Sequence, residues 1–108
     1  MDKLADMINS DNSYIRTRGL TLIAYNAKWD KDNKIDEIMD EYLKHMEDVK
    51  PITARQCIQL LPMIAKKPEL KEDIVTTLQK VDVSIYADSM QPLVYKDIQN
   101  SLAEIEKL

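Results

Sequence analysis

Apolar residues recur at helical spacing through almost the whole chain, and this periodicity constrains the fold more than any other feature of the sequence. The clearest example is the segment NKIDEIMDEYLKHMED, residues 33–48. Its apolar residues follow the i, i+3, i+4, i+7 spacing of one stripe along an amphipathic helix: Ile35, Ile38, Met39, Tyr42, Leu43 and Met46. The segment ELKEDIVTTLQKVD has the same pattern and a predicted start near Glu69. We therefore predict an all-α protein.

The scarcity of turn-forming residues supports this prediction. The 108 residues include one glycine, four prolines and no phenylalanine, while 44% of them are hydrophobic. This composition suits long helices rather than strands and hairpins. A chain of this length builds one small domain around one core, here residues 1–108. Six helical stretches are predicted, with a kink but no break at Pro62, because the apolar period continues past the proline.

Charge and cysteine content narrow the classes of function. The net charge of −4 opposes generic adhesion to polyphosphate. One cysteine allows no internal disulfide, and no apolar run approaches the ~20 residues of a membrane span. The first residues, MDKLADMINSD, have neither a basic leader nor a long apolar core. We expect a cytoplasmic protein without a membrane partner.

Three of the predicted helices, at residues 14–28, 52–66 and 92–106, have wide apolar surfaces and can be superposed on one another. Arg18 falls on Arg55 at an offset of 37 residues, and Arg55 falls on Lys96 at an offset of 41 residues. Apolar residues then coincide as well, and Ile15, Ile52 and Leu93 share one position. A period of about 40 residues is typical of two-helix repeats.

The first of these segments resembles a HEAT repeat, in the wider HEAT and armadillo class. Asp11 stands at the family's turn aspartate and Ile15-Arg16 at its Val-Arg pair. Gly19 and Ile23 follow at the family's small residue and its leucine. Glycine in place of the usual alanine costs helix propensity, and we expect it where two helices approach closely.

The second and third segments depart from this pattern. Thr53 stands where the family has arginine, with Arg55 two residues later, and the third segment has no such arginine. The resemblance covers nearly the whole chain and implies a right-handed α-α superhelix, a short solenoid of about three helix pairs at residues 1–30, 31–68 and 69–108. Small bacterial HEAT-like proteins are similar to it as well.

By resemblance, the second helix of each pair lines a concave surface that suits extended partners. This implies a non-catalytic scaffold that binds a segment of another protein, as a monomer or weak homodimer. The predicted partner-binding residues are Arg18, Tyr25, Arg55, Gln59, Tyr95 and Gln99. The alternative is a nucleic-acid-binding module related to HEAT-like DNA-alkylation-repair proteins. It would use a basic strip of Arg16, Arg18, Lys28, Arg55, Lys66, Lys67 and Lys96, although no catalytic aspartate of those enzymes maps here.

Single residues with possible chemistry have a structural interpretation that we favour. The resemblance implies that Arg16 bonds a neighbouring turn carboxylate. Trp29 is expected to close the core between helix and loop rather than form an aromatic binding spot with Tyr25. His45 is interpreted as a solvated surface residue, and Cys57 as a buried core residue.

Carboxylates on residues 36–41 have helical spacing, but no histidine joins them at the spacing of a metal site. The single glycine leaves no phosphate-binding loop. We therefore predict no catalytic residues, no metal and no cofactor.

Overall fold

Helices make up most of the structure, as the periodicity predicts. The computed structural model describes residues 2–30 and 34–108 of the chain. In these residues the α-helices are α1 (Asp2–Ile8), α2 (Ser13–Asn26), α3 (Lys34–Leu43), α4 (Pro51–Ile64), α5 (Pro68–Gln79) and α6 (Gln91–Glu106), joined in part by short 3-10 helices at Ala27–Trp29, Lys44–Glu47 and Val83–Ile85. No strand occurs in the described residues. The all-α prediction with six helical stretches is confirmed, and Asn33 of the predicted third helix lies outside the described residues.

Helices α2, α4 and α6 lie side by side with α4 in the middle. Near the starts of α2 and α4, the hydroxyl groups of Thr17 and Thr53 are 2.8 Å apart. Near their ends, Lys67 donates to Asp30 over 3.2 Å. Because contacts near both ends join residues 36 or 37 positions apart, the two helices run parallel and in register.

The remaining helices form a second layer. Helix α3 contacts both α1 and α5, while α1 packs on α2, and α5 on α4 and α6. The thinnest dimension of the Cα trace is 17 Å, as expected for two layers of helices with axes about 10 Å apart. The core between the layers includes fully buried side chains of both: Leu20, Ile23, Ile35, Tyr42, Ile58, Leu61, Ile74 and Leu78.

Helix α4 continues through Pro62 and ends at Ile64, so the proline does not break it, as predicted. Proline has no backbone N–H, which deprives the carbonyl of Ile58 of its helical donor. The hydroxyl of Ser101 in α6 donates to this carbonyl over 2.7 Å. A buried carbonyl that the sequence leaves without a partner is thus satisfied by the neighbouring helix, and this bond helps fix the register of α6.

A Ser101→Ala variant should lose about 1–2 kcal/mol of the free energy of unfolding, because the Ile58 carbonyl would stay buried without a donor. Pro62→Ala restores a backbone N–H, so the cost of Ser101→Ala should be smaller in a Pro62→Ala background. Urea denaturation of the unaltered protein, the two single variants and the double variant measures both costs. Equal costs of Ser101→Ala in the two backgrounds would show that the unpaired Ile58 carbonyl does not cause the loss of stability.

Gly19 lies at the crossing of α1 and α2. A Cβ atom built at this position would be 2.7 Å from the Cβ of Met7 and 3.2 Å from the backbone nitrogen of Ile8. Real Cβ atoms do not approach other atoms so closely, so the backbones meet only because position 19 has no side chain. The prediction of a close helix approach at Gly19 is confirmed.

Candidate functional site

The carboxylate of Asp48 is the centre of a buried polar cluster that joins the turn before α4 to α2 and to the segment before α6. Arg16 donates to its two oxygens through Nε and Nη2, each over 2.9 Å. The Nδ1 atom of His45 lies 2.8 Å from Oδ2, and the backbone N–H of Lys50 donates to Oδ1 over 2.9 Å. The backbone carbonyl of Asp48 accepts the hydroxyl of Tyr86 over 2.6 Å. We call these five residues the Asp48 cluster.

The electrostatics of the Asp48 cluster are those of a satisfied ion pair. Burial alone would raise the pKa of Asp48, but its hydrogen bonds outweigh burial and hold that pKa below the usual value of 3.8. The same side-chain bond raises the pKa of Arg16. Since Nη1 of Arg16 also donates to the carbonyls of Ser10 and Asp11, every nitrogen of its guanidinium donates to an acceptor within the chain. The structural role predicted for Arg16, bonding to a turn carboxylate, is confirmed.

The prediction for His45 is wrong, because its side chain is only 14% exposed. That prediction assumed that the α-helix continues through His45, which would place the residue on the polar side of the helix. The helix instead tightens after Leu43 into the 3-10 helix Lys44–Glu47. A 3-10 helix has three residues per turn instead of 3.6, so each successive side chain is rotated further around the axis than in an α-helix. This rotation brings the side chain of His45 to Asp48.

The six predicted partner-binding residues divide between two surfaces. Arg18 and Tyr25 of α2, and Arg55 and Gln59 of α4, lie on the surface that faces away from the second layer. We call this surface, together with the equivalent positions Leu93 and Lys96 of α6, the outer face. The structure instead places Tyr95 and Gln99 in a groove of about 540 Å³ at the side of α6 that faces away from α4. We call it the edge groove, and its other lining residues are Leu78, Gln79, Val81, Asp82, Val83, Ser84, Ile98 and Leu102.

The outer face contains three aliphatic residues that coincide when the helices are superposed. Ile15, Ile52 and Leu93 share one superposed position and are 39%, 75% and 41% exposed. We call them the aliphatic row. The repetition of an aliphatic residue at offsets of 37 and 41 residues is visible in the sequence. Periodicity alone does not distinguish a stripe that faces a neighbouring helix from one that faces water.

An open groove of about 410 Å³ begins beside Ile52, between the starts of α2 and α4. Ser13, Tyr14, Thr17, Lys50, Pro51, Ile52 and Thr53 line it. Tyr14 is 73% exposed. The aliphatic row is therefore continuous with a wider apolar area, and contiguous exposed apolar surface of this kind marks interaction sites.

Arg18, Arg55 and Lys96 form a second row, three residues further along each helix, which we call the cation row. Helices α2 and α4 contain no aspartate or glutamate, whereas the second layer has carboxylates throughout α3 and α5: Asp36, Glu37, Asp40, Glu41, Glu69, Glu72 and Asp73. Helix α6 differs from α2 and α4, since it contains Asp97, Glu104 and Glu106 as well as Lys96. The part of the outer face that α2 and α4 form is locally basic although the chain has a net charge of −4.

The basic strip of the nucleic-acid hypothesis is partly neutralised within the chain. Arg16 is bonded to Asp48, and Arg55 to Asp97 over 2.7 Å. Lys67 lies within 3.7 Å of three carboxylates, those of Asp30, Asp36 and Glu69. The four other residues of the strip are exposed: Arg18, Lys28, Lys66 and Lys96.

Trp29 does not close the core, so that prediction is wrong. Its side chain is 67% exposed, and the ammonium of Lys28 lies 5.1 Å from the ring centroid. The α-helix gives way at Ala27 to a 3-10 turn, in which Ala27 is buried. The tighter turn places Trp29 outward, next to the exposed end of α2.

Cys57 is fully buried, as predicted, and its thiol donates to the carbonyl of Tyr42 over 3.6 Å. Burial raises the pKa of this thiol well above its usual value, which makes it a poor nucleophile. No group of three or more metal-ligating side chains occurs within residues 2–30 and 34–108. No helix in this same part of the chain is long and apolar enough to cross a membrane.

Comparison with known proteins adds no relative to this description. No protein family matches the chain, and neither a curated protein nor a solved structure matches it. The outer face and the edge groove are therefore assessed on their own geometry and chemistry.

Proposed function

We propose that the chain is a short HEAT-like solenoid that acts as a non-catalytic scaffold and binds a segment of another protein on its outer face. The proposed repeats are residues 1–30, 31–68 and 69–108, stacked as a right-handed superhelix with the outer face on its concave side. The parallel order of α2, α4 and α6 supports this architecture. In such a stack each repeat contacts its neighbours, and the curved layer offers a long surface to a partner.

The Asp48 cluster gives independent support to the repeat architecture. Asp48 stands 37 residues after Asp11, the same offset that superposes the helices, so both occupy the turn before a layer helix. Arg16 of one proposed repeat binds the turn aspartate of the next. Thr53 replaces arginine at the following position and bonds Thr17 instead, so the arginine–aspartate connection ends after one step.

The observation that carries the binding function is the large exposed apolar area on the outer face. Tyr14 and Ile52 each expose more than two thirds of their surface, and they line one groove together with the cation Lys50. Apolar surface bordered by charged side chains is the usual composition of a protein-binding patch. Single exposed apolar residues need no explanation, but a group joined to a groove does.

Affinity capture with two matched variants tests this function. An Arg18→Glu, Tyr25→Ala variant changes the outer face, and a Tyr95→Ala, Gln99→Ala variant changes the edge groove. All four side chains are exposed, so both variants should keep their unfolding free energy within about 0.5 kcal/mol. We expect the outer-face variant to lose the partner protein that the unaltered chain and the edge-groove variant retain.

The other outcomes of this capture contradict the proposal. Loss of the partner only in the edge-groove variant would transfer the binding site to α6. Capture that disappears after nuclease treatment would favour the basic strip and nucleic acid. Retention of the partner by both variants would remove both surfaces from consideration.

A further inference from the structure

We infer that the outer face recognises a protein segment in the polyproline II conformation, with an acidic residue at every third position and an apolar residue beside each acidic one. This inference rests on the scaffold function proposed above and specifies its partner. It is carried by two features, namely the absence of carboxylates from α2 and α4 and the parallel aliphatic and cation rows.

The two rows run across the three helices because the helices are in register. Side-chain contacts join residues 36 positions apart between α2 and α4, at Thr17 and Thr53. Between α4 and α6 they join residues 42 and 43 positions apart, as in the bond from Ser101 to Ile58. These values differ from the superposition offsets of 37 and 41 by at most two residues, or about 3 Å along a helix. Equivalent residues therefore lie at nearly the same height.

The spacing of the rows matches one regular peptide conformation. Packed helix axes are about 8–10 Å apart, so each row presents one side chain at that interval. A polyproline II helix has three residues per turn and a rise of about 3.1 Å, which repeats a side chain on the same side every ~9 Å. A β-strand alternates its sides at each residue, so its third residue points away from the surface. The rows therefore favour polyproline II over an extended strand.

The central cation of the row is held in place by a buried carboxylate. Arg55 donates from Nε to Asp97 over 2.7 Å and from Nη2 over 3.5 Å. The side chain of Asp97 is 9% exposed, whereas that of Arg55 is 32% exposed. The Nη1 group of Arg55 has no hydrogen-bond partner among the residues that the structure describes. The negative charge is thus buried under a guanidinium that still faces a ligand, between the exposed Arg18 and Lys96.

The aliphatic row lies about 4.5 Å from the cation row along each helix, since three residues separate the two. Successive side chains of a polyproline II helix differ in direction by about 120°, so adjacent residues can face the two rows. An acidic residue would face the cations and its neighbour the aliphatic row. Polyphosphate fits this surface less well, because it offers no apolar group and is repelled by the net charge of −4.

A labelled peptide of three Glu-Leu-Pro triplets is the probe that we would use, with binding measured by fluorescence anisotropy. We expect it to bind at least about tenfold more tightly than a scrambled peptide of identical composition, and binding should weaken with salt. An Arg18→Glu, Lys96→Glu variant should lose about tenfold or more in affinity. Lys71→Glu, Lys80→Glu is the matched control with the same charge change on α5 and the residue that follows it, and it should retain most of the affinity.

Three outcomes would overturn the inference. Equal binding of the scrambled peptide would show that the three-residue spacing is not recognised. Equal losses of affinity in both charge variants would show that binding depends only on the net charge of the protein. No peptide binding, while capture of the natural partner still depends on Arg18 and Tyr25, would reject the polyproline II partner and leave the scaffold function intact. Tighter binding of an oligothymidine at the same residues would replace the peptide by a nucleic acid.

Discussion

An Asp48→Asn variant is expected to lose about 3–5 kcal/mol of the free energy of unfolding, a large part of the 5–15 kcal/mol typical of a domain. Asparagine has nearly the same shape, but it removes the negative charge opposite Arg16, whose side chain is only 11% exposed. The guanidinium would then be buried without its counter-charge. Urea denaturation followed by circular dichroism at pH 7 measures the loss.

Asp11→Asn is the matched control. Asp11 occupies the equivalent turn position 37 residues earlier, but it is exposed, and only its backbone carbonyl accepts from Arg16. We expect a change within about 0.5 kcal/mol. Similar losses at Asp11 and Asp48 would show that the turn, and not the buried ion pair, determines the cost.

The dependence of stability on pH provides a second check on Asp48. Its folded pKa lies below 3.8, so the carboxylate binds protons less readily in the folded chain than in the unfolded chain. The stabilisation is therefore fully present well above the unfolded pKa of 3.8 and is lost as the pH falls through the folded pKa. Removing the carboxylate should flatten the acid limb of the stability curve relative to the unaltered protein. An unchanged acid limb would show that the loss of stability in acid comes from other groups, such as Asp30, whose pKa is also lowered.

Features that depend on local spacing were predictable from the sequence. The helices follow from apolar periodicity, which is a property of neighbouring residues. The close approach at Gly19 was predictable for a different reason, because it rests on one residue type with a narrow structural use. The ion pair of Arg16 was predicted from the resemblance of Ile15-Arg16 to the Val-Arg pair of HEAT repeats. Glycine within a helix costs free energy unless a neighbouring backbone requires the space, and an arginine after a turn is well placed to bind a turn carboxylate.

Features that depend on helix ends and on neighbours were not predictable. His45 was assigned by extending a 3.6-residue period into a segment that tightens to 3-10 geometry. Trp29 was assigned from the usual role of a tryptophan at a helix end, which a 3-10 turn at Ala27–Trp29 overrides here. The candidate site had a related difficulty. Tyr95 and Gln99 correspond to positions that face the next layer helix in α2 and α4. In the described residues no further layer helix lies beside α6, and the end of α5 and the 3-10 helix Val83–Ile85 form a groove there instead. A sequence period specifies direction around a helix, whereas exposure depends on which helices pack on it.

Substitutions at Gly19 should reverse the usual effect of improving a helix. At an open helical position, glycine to alanine stabilises by up to about 1 kcal/mol. Here the new Cβ would lie 2.7 Å from the Cβ of Met7, an atom attached to backbone that cannot move aside alone. We expect a net loss of about 1 kcal/mol for Gly19→Ala and about 3 kcal/mol for Gly19→Val, measured by urea denaturation.

The background at position 7 identifies the atom responsible for this loss. Met7→Ala keeps the Cβ that would collide with a side chain at position 19, whereas Met7→Gly removes it. Gly19→Ala should therefore cost less in the Met7→Gly background than in the Met7→Ala background, beyond the effects of the single substitutions. Stabilisation by Gly19→Ala in the unaltered chain would mean that α1 can move away from α2 at little cost. The close packing of the two helices would then not be what requires glycine at this position.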